Sequence, residues 1–426
     1  MFTNVKIENP KLVRHSGKNL NYYAGYNECF VDKILKTSDI SSDSIIFDPW
    51  NGIGTTTTIS NSNGFRSVGT DLNPVMLICA RAGLITNTDF DSLHTLTAEL
   101  INKLKISKLE YEVEFGDPLL TWITPQSLRI IRQLNLEINQ LLVNEKSSDR
   151  LLNYENISNF AAFFYLCCFQ TLRILTNKFK SSNPTWIKKP KDPRTRIRPS
   201  RETVIAIFEA VSNSLIESHR KSPKVIHSNL TELKIADSAS TGLERKSVDL
   251  IITSPPYCTR IYYAVSTQIE LSFLFFDKLK LKDLRTKMIG TSTINKISFE
   301  STNKFGEKVS EFLDKIESHE SKSSSSYYYK SHFQYYQSMF NSFSHLSSDV
   351  LKENGGIVSV VQDSYYKEIH NDLQSNLIDM ASVIGLKLTN RVDFENRRSF
   401  ASLNPESKKY KLNKTPIESV LCFQKS

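Results

Sequence analysis

Short apolar runs and helical periodicity alternate along the chain, and the apolar runs fall into two blocks. The first block, up to about residue 85, contains SIIF and FRSVGT. The second begins near residue 225 and contains KVIHSNL, SVDLIIT, GGIVSVV, GLKLTNRVDF and SVLCFQK. Apolar runs of roughly four to eight residues that end in polar turn residues are typical of buried strands. The pattern therefore predicts an α/β fold with seven strands.

The stretch between the two blocks, residues 86–224, has a helical pattern instead. Apolar positions repeat with the helical period in QSLRIIRQLNLEINQLLV at 126–143 and in NFAAFFYLCCFQTLRIL at 159–175. Because structureless connections of this length are rare in compact folds, we expect an inserted helical domain. The expected segments are 1–85, 86–224 and 225–426.

Composition narrows the class of protein without changing this picture. With 426 residues, of which 39% are hydrophobic and 23% charged, the chain is typical of a globular protein. No run approaches the roughly 20 apolar residues of a membrane span. The six cysteines are scattered and show no metal-ligand spacing. We therefore expect a cytoplasmic protein with reduced thiols, no membrane association and no metal site.

The charge distribution favours a polyanionic partner. Lys and Arg exceed Asp and Glu by 54 to 45, and nine of the basic residues lie at 178–201 against a single acid. Such a run is often only a solvated loop. Because it also contains Trp186, a possible stacking group, we favour an arm that contacts nucleic-acid phosphates. Its candidate contact residues are Trp186, Lys188, Lys189, Arg194, Arg196 and Arg198.

The motif DPWNGIGT at residues 48–55 lies where the strand SIIF enters a turn. Gly52 and Gly54 allow the backbone to approach a ligand closely, and the helix that follows offers its N-terminal amides. The next strand ends in GTDLNP, where the Asp71 carboxylate can accept both hydroxyls of a ribose. Neither segment has the spacing of a dinucleotide fingerprint or a phosphate loop. Together they predict a site for a nucleoside-bearing cofactor.

The strongest local signal is TSPPY at residues 253–257, directly after the apolar run VDLII. Two consecutive prolines cannot continue a strand ladder, so the chain must leave the sheet in a rigid extended conformation. An exocyclic amino nitrogen of a base is a poor nucleophile and needs acceptors that hold it. The Ser254 hydroxyl and the Pro255 carbonyl are candidate acceptors, and Tyr257 is a candidate to stack on an extruded base. The alternative is a purely structural strand exit.

These motifs resemble those of the amino-methylating DNA methyltransferases. DPWNGIGT is similar to their DPFxGSGTT cofactor motif, and SPPY at 254–257 matches their catalytic motif. The resemblance implies a Rossmann-like seven-stranded sheet with an antiparallel last strand, S-adenosylmethionine as cofactor and double-stranded DNA as partner. It implies the cofactor-binding residues Phe30, Asp48, Pro49, Gly52, Gly54, Thr55, Asp71, Asn73 and Asn229 and the catalytic residues Ser254, Pro255, Pro256 and Tyr257.

The sequence departs from the family pattern at two places. Trp50 and Asn51 replace the usual phenylalanine and small residue, and Asn229 stands where an acidic residue usually meets the adenine amino group. The amide oxygen of Asn229 can still accept that hydrogen bond. The order of the motifs resembles that of members whose recognition domain lies in the middle of the chain. After the catalytic motif come further candidates to contact the DNA strand or close over the site: Arg260, Tyr262 and Tyr263.

Several functions remain open. A leading serine in the catalytic motif is typical of N4-cytosine enzymes, so the first expectation is an N4-cytosine DNA methyltransferase. Its setting would be a restriction-modification or related defence system with a partner restriction endonuclease. An N6-adenine DNA methyltransferase or an RNA base methyltransferase would share the motifs. A DNA-binding protein with a decayed site belongs to another class, and the intact SPPY motif disfavours it. Direct in-line transfer requires the two strand ends to meet in one pocket.

Overall fold

The computed structural model of the protein describes residues 1–11, 25–109, 111–143, 153–181, 186–258, 263–295, 302–395 and 416–425. Within these ranges, seven strands form the central sheet and two more form a hairpin. The sheet strands are β1 (Ile45–Asp48), β2 (Arg66–Thr70), β3 (Thr231–Lys234), β4 (Val248–Thr253), β5 (Leu351–Gln362), β8 (Leu386–Glu395) and β9 (Ile417–Lys425). The hairpin pairs β6 (Ser364–Tyr366) with β7 (Ile369–Asn371).

The order of the strands predicts a ligand crevice at the carboxyl ends of the central strands. The order is β3-β2-β1-β4-β5-β9-β8. Pairing is parallel from β3 to β5, whereas β9 runs antiparallel to both of its neighbours. The predicted fold, a mostly parallel seven-stranded sheet with a reversed last strand, is confirmed. Because the strand order reverses between β1 and β4, a crevice forms at the carboxyl ends of these strands.

The third strand begins later than the sequence pattern predicts. The run KVIHSNL at 224–230 is not a strand, and β3 is formed by the four residues that follow it. The Asn61 side chain explains the difference, because it accepts from the His227 N–H (2.7 Å) and donates to the His227 carbonyl (3.0 Å). These bonds hold the run against a helix. Asn229 then turns the chain into β3 with a positive φ of 65°.

Helices cover both faces of the sheet. Those that precede β3 are α1 (Glu28–Thr37), α2 (Thr55–Ser62), α3 (Pro74–Ala82), α4 (Phe90–Ile106), α5 (Pro125–Leu142), α6 (Asn159–Leu175) and α7 (Arg201–Lys221). Those that follow β4 are α8 (Tyr263–Ser266), α9 (Gln268–Phe273), α10 (Lys278–Lys287), α11 (Glu307–Glu317), α12 (Tyr329–His345) and α13 (Leu373–Val383). Helices α1 and α2 pack on one face with Ile46 and Leu250, and α11 to α13 pack on the other with Phe47 and Ile251.

The two helices predicted from periodicity are confirmed as α5 and α6. Helix α6 is apolar on nearly all sides, as expected of a helix buried in a core. Its hydrophobic cluster extends from Val75 in α3 through α4 to α7 and on to Phe273 in α9. The helices between β2 and β3 therefore pack directly against elements that border the crevice. The segment boundaries at 85 and 224 stay a prediction.

Among the described residues, none of the helices combines the length and apolar character needed to cross a membrane. In the same ranges, the His, Cys, Asp and Glu side chains form no group of three or more that could hold a metal ion. All six cysteines are free thiols.

Candidate active site

A pocket opens to solvent at the carboxyl ends of β1 to β4. Its walls come from both sequence motifs. The first motif and the end of β2 contribute Asp48, Pro49, Trp50, Asn51, Gly52, Ile53, Thr55, Asp71, Leu72 and Asn73, and the loop after β4 contributes Ser254 and Pro256. Two strand ends that are far apart in the sequence therefore meet in one pocket.

Asp48 ties the two motifs together at the floor of the pocket. Its Oδ1 accepts from the Thr253 hydroxyl (2.6 Å) and the Trp50 N–H (3.1 Å). Its Oδ2 accepts from the hydroxyls of Tyr26 (3.0 Å) and Thr56 (2.8 Å). Burial nevertheless raises the pKa of Asp48, and these donors act against the rise. Because Thr253 ends β4, the Asp48 carboxylate links the glycine turn directly to the strand that carries the double proline.

The two glycines of the first motif have different roles in the structure. Both have a positive φ, 50° at Gly52 and 84° at Gly54, which favours glycine. Gly52 lines the pocket. Gly54 does not, and a Cβ at this position would lie 2.7 Å from the Cβ of Ala80. The conformation and the close packing of α2 on α3 therefore explain Gly54, whereas Gly52 presents backbone to the pocket.

Asp71 lies at the end of β2 with both carboxylate oxygens engaged by backbone. Its Oδ2 accepts from the Gly52 N–H (3.1 Å) and its Oδ1 from the Asn73 N–H (2.8 Å). Burial raises the pKa of Asp71 to about 6, and the two amide donors oppose the rise. A carboxylate offers roughly four lone-pair sites, so acceptor capacity remains for hydroxyls of a ligand. This geometry suits a ribose.

Asn73 connects the cofactor wall to the segment that follows the catalytic turn. Its side-chain oxygen caps α3 by accepting from the Val75 N–H (3.1 Å). Its amide nitrogen donates to the Thr267 hydroxyl (2.9 Å). Asn73 is buried and lines the pocket, so its side chain fixes the spacing of two walls.

Phe30 and Asn229, like Gly54, do not line the pocket, so three residues of the expected cofactor set lie outside its walls. Phe30 is fully buried in the core, and its neighbour Tyr26, 5.3 Å away between ring centroids, lines the pocket instead. Asn229 precedes β3 and therefore lies at the amino end of that strand, away from the crevice. Ala236 and Ser238, just past the carboxyl end of β3, line the pocket. The late start of β3 explains the misplacement of Asn229.

The double-proline turn is held from behind by distant residues. Ser254 and Pro256 line the pocket and Pro255 is buried between them. The Tyr335 hydroxyl donates to the Pro256 carbonyl (3.0 Å). Tyr335 comes from α12, and nothing in the local sequence of the turn indicates this partner.

Tyr257 does not line the pocket and is buried, so in this structure its ring is not exposed for stacking on a base. The Ser254 hydroxyl donates to the Tyr257 hydroxyl (3.4 Å). The Tyr257 side chain is 6% exposed and donates from its hydroxyl to Glu418 Oε1 (3.0 Å). Lys11 Nζ lies 2.6 Å from that buried carboxylate and 5.3 Å from the centre of the Tyr257 ring. Burial and the nearby carboxylate raise the pKa of Tyr257, so the phenol stays protonated. Sequence reasoning missed Glu418 and Lys11, because neither belongs to a motif.

The basic segment is anchored to the helical region rather than loose. The Lys188 carbonyl accepts from the Trp122 indole N–H (2.9 Å), and the Ile197 N–H donates to the Trp122 carbonyl (2.9 Å). Of its candidate contact residues, Trp186, Lys188, Lys189, Arg194 and Arg198 are exposed, whereas Arg196 is half-buried. Arg194 forms an exposed ion pair with Asp192. Of the three candidates that follow the catalytic motif, Arg260 and Tyr262 lie outside the described residues, and Tyr263 lines the pocket.

Comparison with known proteins shows a similarity to a curated methyltransferase. No family model matches the chain. The chain is similar to the Type II methyltransferase M.BsoBI of Geobacillus stearothermophilus, with 22% identity over 304 residues. The match covers 65% of this chain and 56% of that protein, so the chain spans little more than half the length of this relative.

Among solved structures, the chain is similar to a geranyl diphosphate methyltransferase in complex with SAM. The identity is 6% and the TM-score 0.30, over 98% of this chain and 100% of that one. A likeness of this degree carries no argument about function.

Proposed function

We propose that this chain is an S-adenosylmethionine-dependent DNA methyltransferase that methylates the exocyclic amino group of an extruded base, with N4 of cytosine as the target atom. The observation that carries the proposal is the shared pocket. A carboxylate suited to ribose hydroxyls and the Ser254 end of a rigid double-proline turn line the same space. The similarity to a Type II methyltransferase supports the same assignment.

The donor side of the pocket has the groups that a nucleoside cofactor needs. Asp71 keeps acceptor capacity for two hydroxyls, and the turn at Gly52 leaves room for close approach. Trp50 and Ile53 provide apolar wall beside them. When bound, S-adenosylmethionine supplies a methyl group activated by its sulfonium charge. The protein contributes mainly positioning.

The acceptor side has the groups that orient an amino nitrogen. The Ser254 hydroxyl and the Pro255 carbonyl are oxygen acceptors on a turn that prolines make rigid. Hydrogen bonds from the two amino hydrogens to these oxygens favour the tetrahedral nitrogen, whose lone pair is then available for attack. The backbone of this turn is fixed by Tyr335 and Tyr257, so the acceptors are preorganised.

The duplex partner is proposed from charge. The exposed basic side chains of residues 186–198 and the net charge of +9 suit a phosphate backbone. The anchoring at Trp122 gives this arm a defined place on the helical region. A modification role beside a restriction endonuclease is part of the proposal, supported by the Type II name of the relative.

The test is expression in a host without DNA methylation. Total DNA and total RNA are digested to nucleosides and measured by mass spectrometry, and the DNA is sequenced by a single-molecule method. We expect N4-methylcytosine in DNA within one sequence context, and much less of it with Ser254→Ala as the matched control. Detection of N6-methyladenine in DNA instead would identify adenine as the target base. Methyl groups in RNA alone, or DNA binding without cofactor binding, would reject the proposed function.

A further inference from the structure

The segment that follows the catalytic turn lies between the pocket and the helical region. It comprises α8 and α9, residues 263–273. At its start, Tyr263 lines the pocket together with Ser254 and Pro256. Several of its other side chains, including Ile269 and Phe273, belong to the hydrophobic cluster of α3 to α7. The segment is thus a wall shared by the pocket and the helices.

Arg173 of α6 holds this wall by an ion pair with a buried carboxylate. Its guanidinium pairs with Glu270 of α9, whose side chain is 1% exposed. The same guanidinium donates to the Ser266 carbonyl (3.0 Å), at the end of α8. A buried carboxylate needs a partner of this kind, because an unpaired charge away from water is costly. One arginine therefore fixes both short helices of the wall.

Hydrogen bonds continue from this ion pair to the pocket. Thr267, next to Ser266, donates to the Tyr263 carbonyl (3.3 Å). The Thr267 hydroxyl also accepts from the Asn73 amide of the cofactor wall (2.9 Å). The position of Tyr263 is therefore connected through Thr267 and Ser266 to the guanidinium of Arg173, which itself does not line the pocket.

A second arginine holds the far end of the same segment. Arg132 of α5 is fully buried and pairs with Asp117 through two N–H groups (2.7 and 2.9 Å). It donates to the carbonyls of Phe273 (2.6 Å) and Ser272 (3.1 Å) at the end of α9. Because the basic arm is anchored at Trp122, just before α5 begins, contacts run from the arm to the pocket wall.

We infer that Arg173 is a positioning residue for the proposed transfer: through Glu270 and the Ser266 carbonyl it holds Tyr263 in the wall beside the catalytic turn. The inference rests on the proposed function and assigns a task to an ion pair outside both sequence motifs. This positioning role requires arginine, because a planar guanidinium can donate to the carboxylate and the carbonyl at the same time, whereas the ammonium of lysine is a single point charge.

The test replaces the pair without leaving a buried charge. The double variant Arg173→Met/Glu270→Met removes both charged groups, and such apolar replacements are often neutral or stabilising. The matched control is Arg220→Met/Glu217→Met, which removes a half-exposed pair at 2.7 Å on α7. The measurements are cofactor affinity by calorimetry, the single-turnover rate on DNA, and hydrogen exchange of the 263–274 backbone amides.

For the double variant we expect cofactor affinity within about twofold of wild type, as for a site whose own contacts are intact. The single-turnover rate should fall at least about tenfold, since small misplacements in a site are costly. The 263–274 amides should exchange about tenfold faster through local opening while those of β4 do not change. Arg173→Lys keeps the charge pair but loses the planar guanidinium. Its transfer rate and its 263–274 amide exchange should lie between those of the double variant and wild type. The control pair should match wild type.

Two outcomes overturn the inference: a wild-type transfer rate in the double variant, or faster exchange throughout the molecule with no local excess. If the double variant does not fold, Arg173→Lys decides the question by the same rate and exchange measurements. Failure of the proposed function is distinguishable, because wild-type protein would then transfer no methyl group to DNA. In that case the exchange of residues 263–274 still decides whether the ion pair holds the wall.

Discussion

Two walls of the pocket are built in different ways: the donor wall, which is the proposed cofactor side with Gly52, Asp71 and Asn73, and the acceptor wall, which is the double-proline turn at 254–257. On the donor wall, Asp71 is held by the amides of Gly52 and Asn73, which belong to the same pair of strand ends. On the acceptor wall, Tyr257 is held by Glu418, which is 161 residues away, and Pro256 by Tyr335. The donor wall is thus a product of neighbouring strand ends and their turns. The acceptor wall is an assembly of segments from the whole chain.

This difference predicts which substitutions affect cofactor binding and which affect methyl transfer. Changes in the donor wall should alter cofactor affinity, because its contacts are made within the wall itself. Changes in the acceptor wall, including changes at distant supporting residues, should alter the transfer rate and leave cofactor affinity intact. Direct links between the walls include the bond from the Thr253 hydroxyl to Asp48 (2.6 Å) and the bond from the Asn73 amide to the Thr267 hydroxyl (2.9 Å).

The largest effect is expected for Ser254→Ala. Loss of the hydroxyl removes one oriented acceptor for the amino nitrogen, and loss of a single oriented polar group in an active site typically costs about 100-fold or more in rate. Cofactor affinity should stay within about twofold, as for a distant independent site. Single-turnover kinetics and calorimetry measure the two quantities. A parallel loss of cofactor affinity would show that the walls are not independent.

Asp71→Asn should weaken cofactor affinity by about 10- to 100-fold, the worth of hydrogen bonds to a charged group. The transfer rate at saturating cofactor should change much less. Because burial raises the pKa of Asp71 to about 6 from 3.8, the carboxylate becomes protonated as the pH falls through that value. Wild-type affinity should therefore decrease below about pH 6, whereas the amide variant should show no such decrease. Calorimetry over that range checks both; a wild-type affinity independent of pH contradicts the assigned role.

Glu418→Gln should lower the transfer rate by about tenfold, since the Tyr257 hydroxyl loses a charged acceptor and Lys11 loses its counter-charge. Tyr257→Phe should have a similar effect, because it removes the other member of the same hydrogen bond. The double variant should be no worse than either single variant if both act through this bond. Additive losses in the same rate assay would separate the two residues and reject Glu418 as the support of the turn.

The smallest effect is expected for Asn229→Ala. Asn229 lies at the amino end of β3, so cofactor affinity should remain within about twofold of wild type, as for surface substitutions away from a site. The same calorimetric titration measures it beside Asp71→Asn. A loss of about tenfold in cofactor affinity would show that Asn229 contacts the cofactor, as the resemblance to the family implies.

Much of the donor wall was predictable because its information is local. The turn at Gly52 and the position of Asp71 follow from strands that end in polar residues, and both line the pocket. Asn229 was misplaced because an apolar run can bond to a neighbouring helix side chain, here Asn61, instead of joining the sheet. Tyr257 was misread for a related reason: the direction of a side chain depends on its partners, and Glu418 is remote in sequence.

By itself the sequence determined six of the seven strands of the sheet, the helices α5 and α6 and the two motifs, because periodicity and turn residues act over a few positions. Only the tertiary structure decided that Tyr257 turns to Glu418 and that Arg173 is paired with a buried carboxylate. Burial decides which polar groups must find partners, and those partners come from whichever segments the packing brings together. No local pattern records that choice.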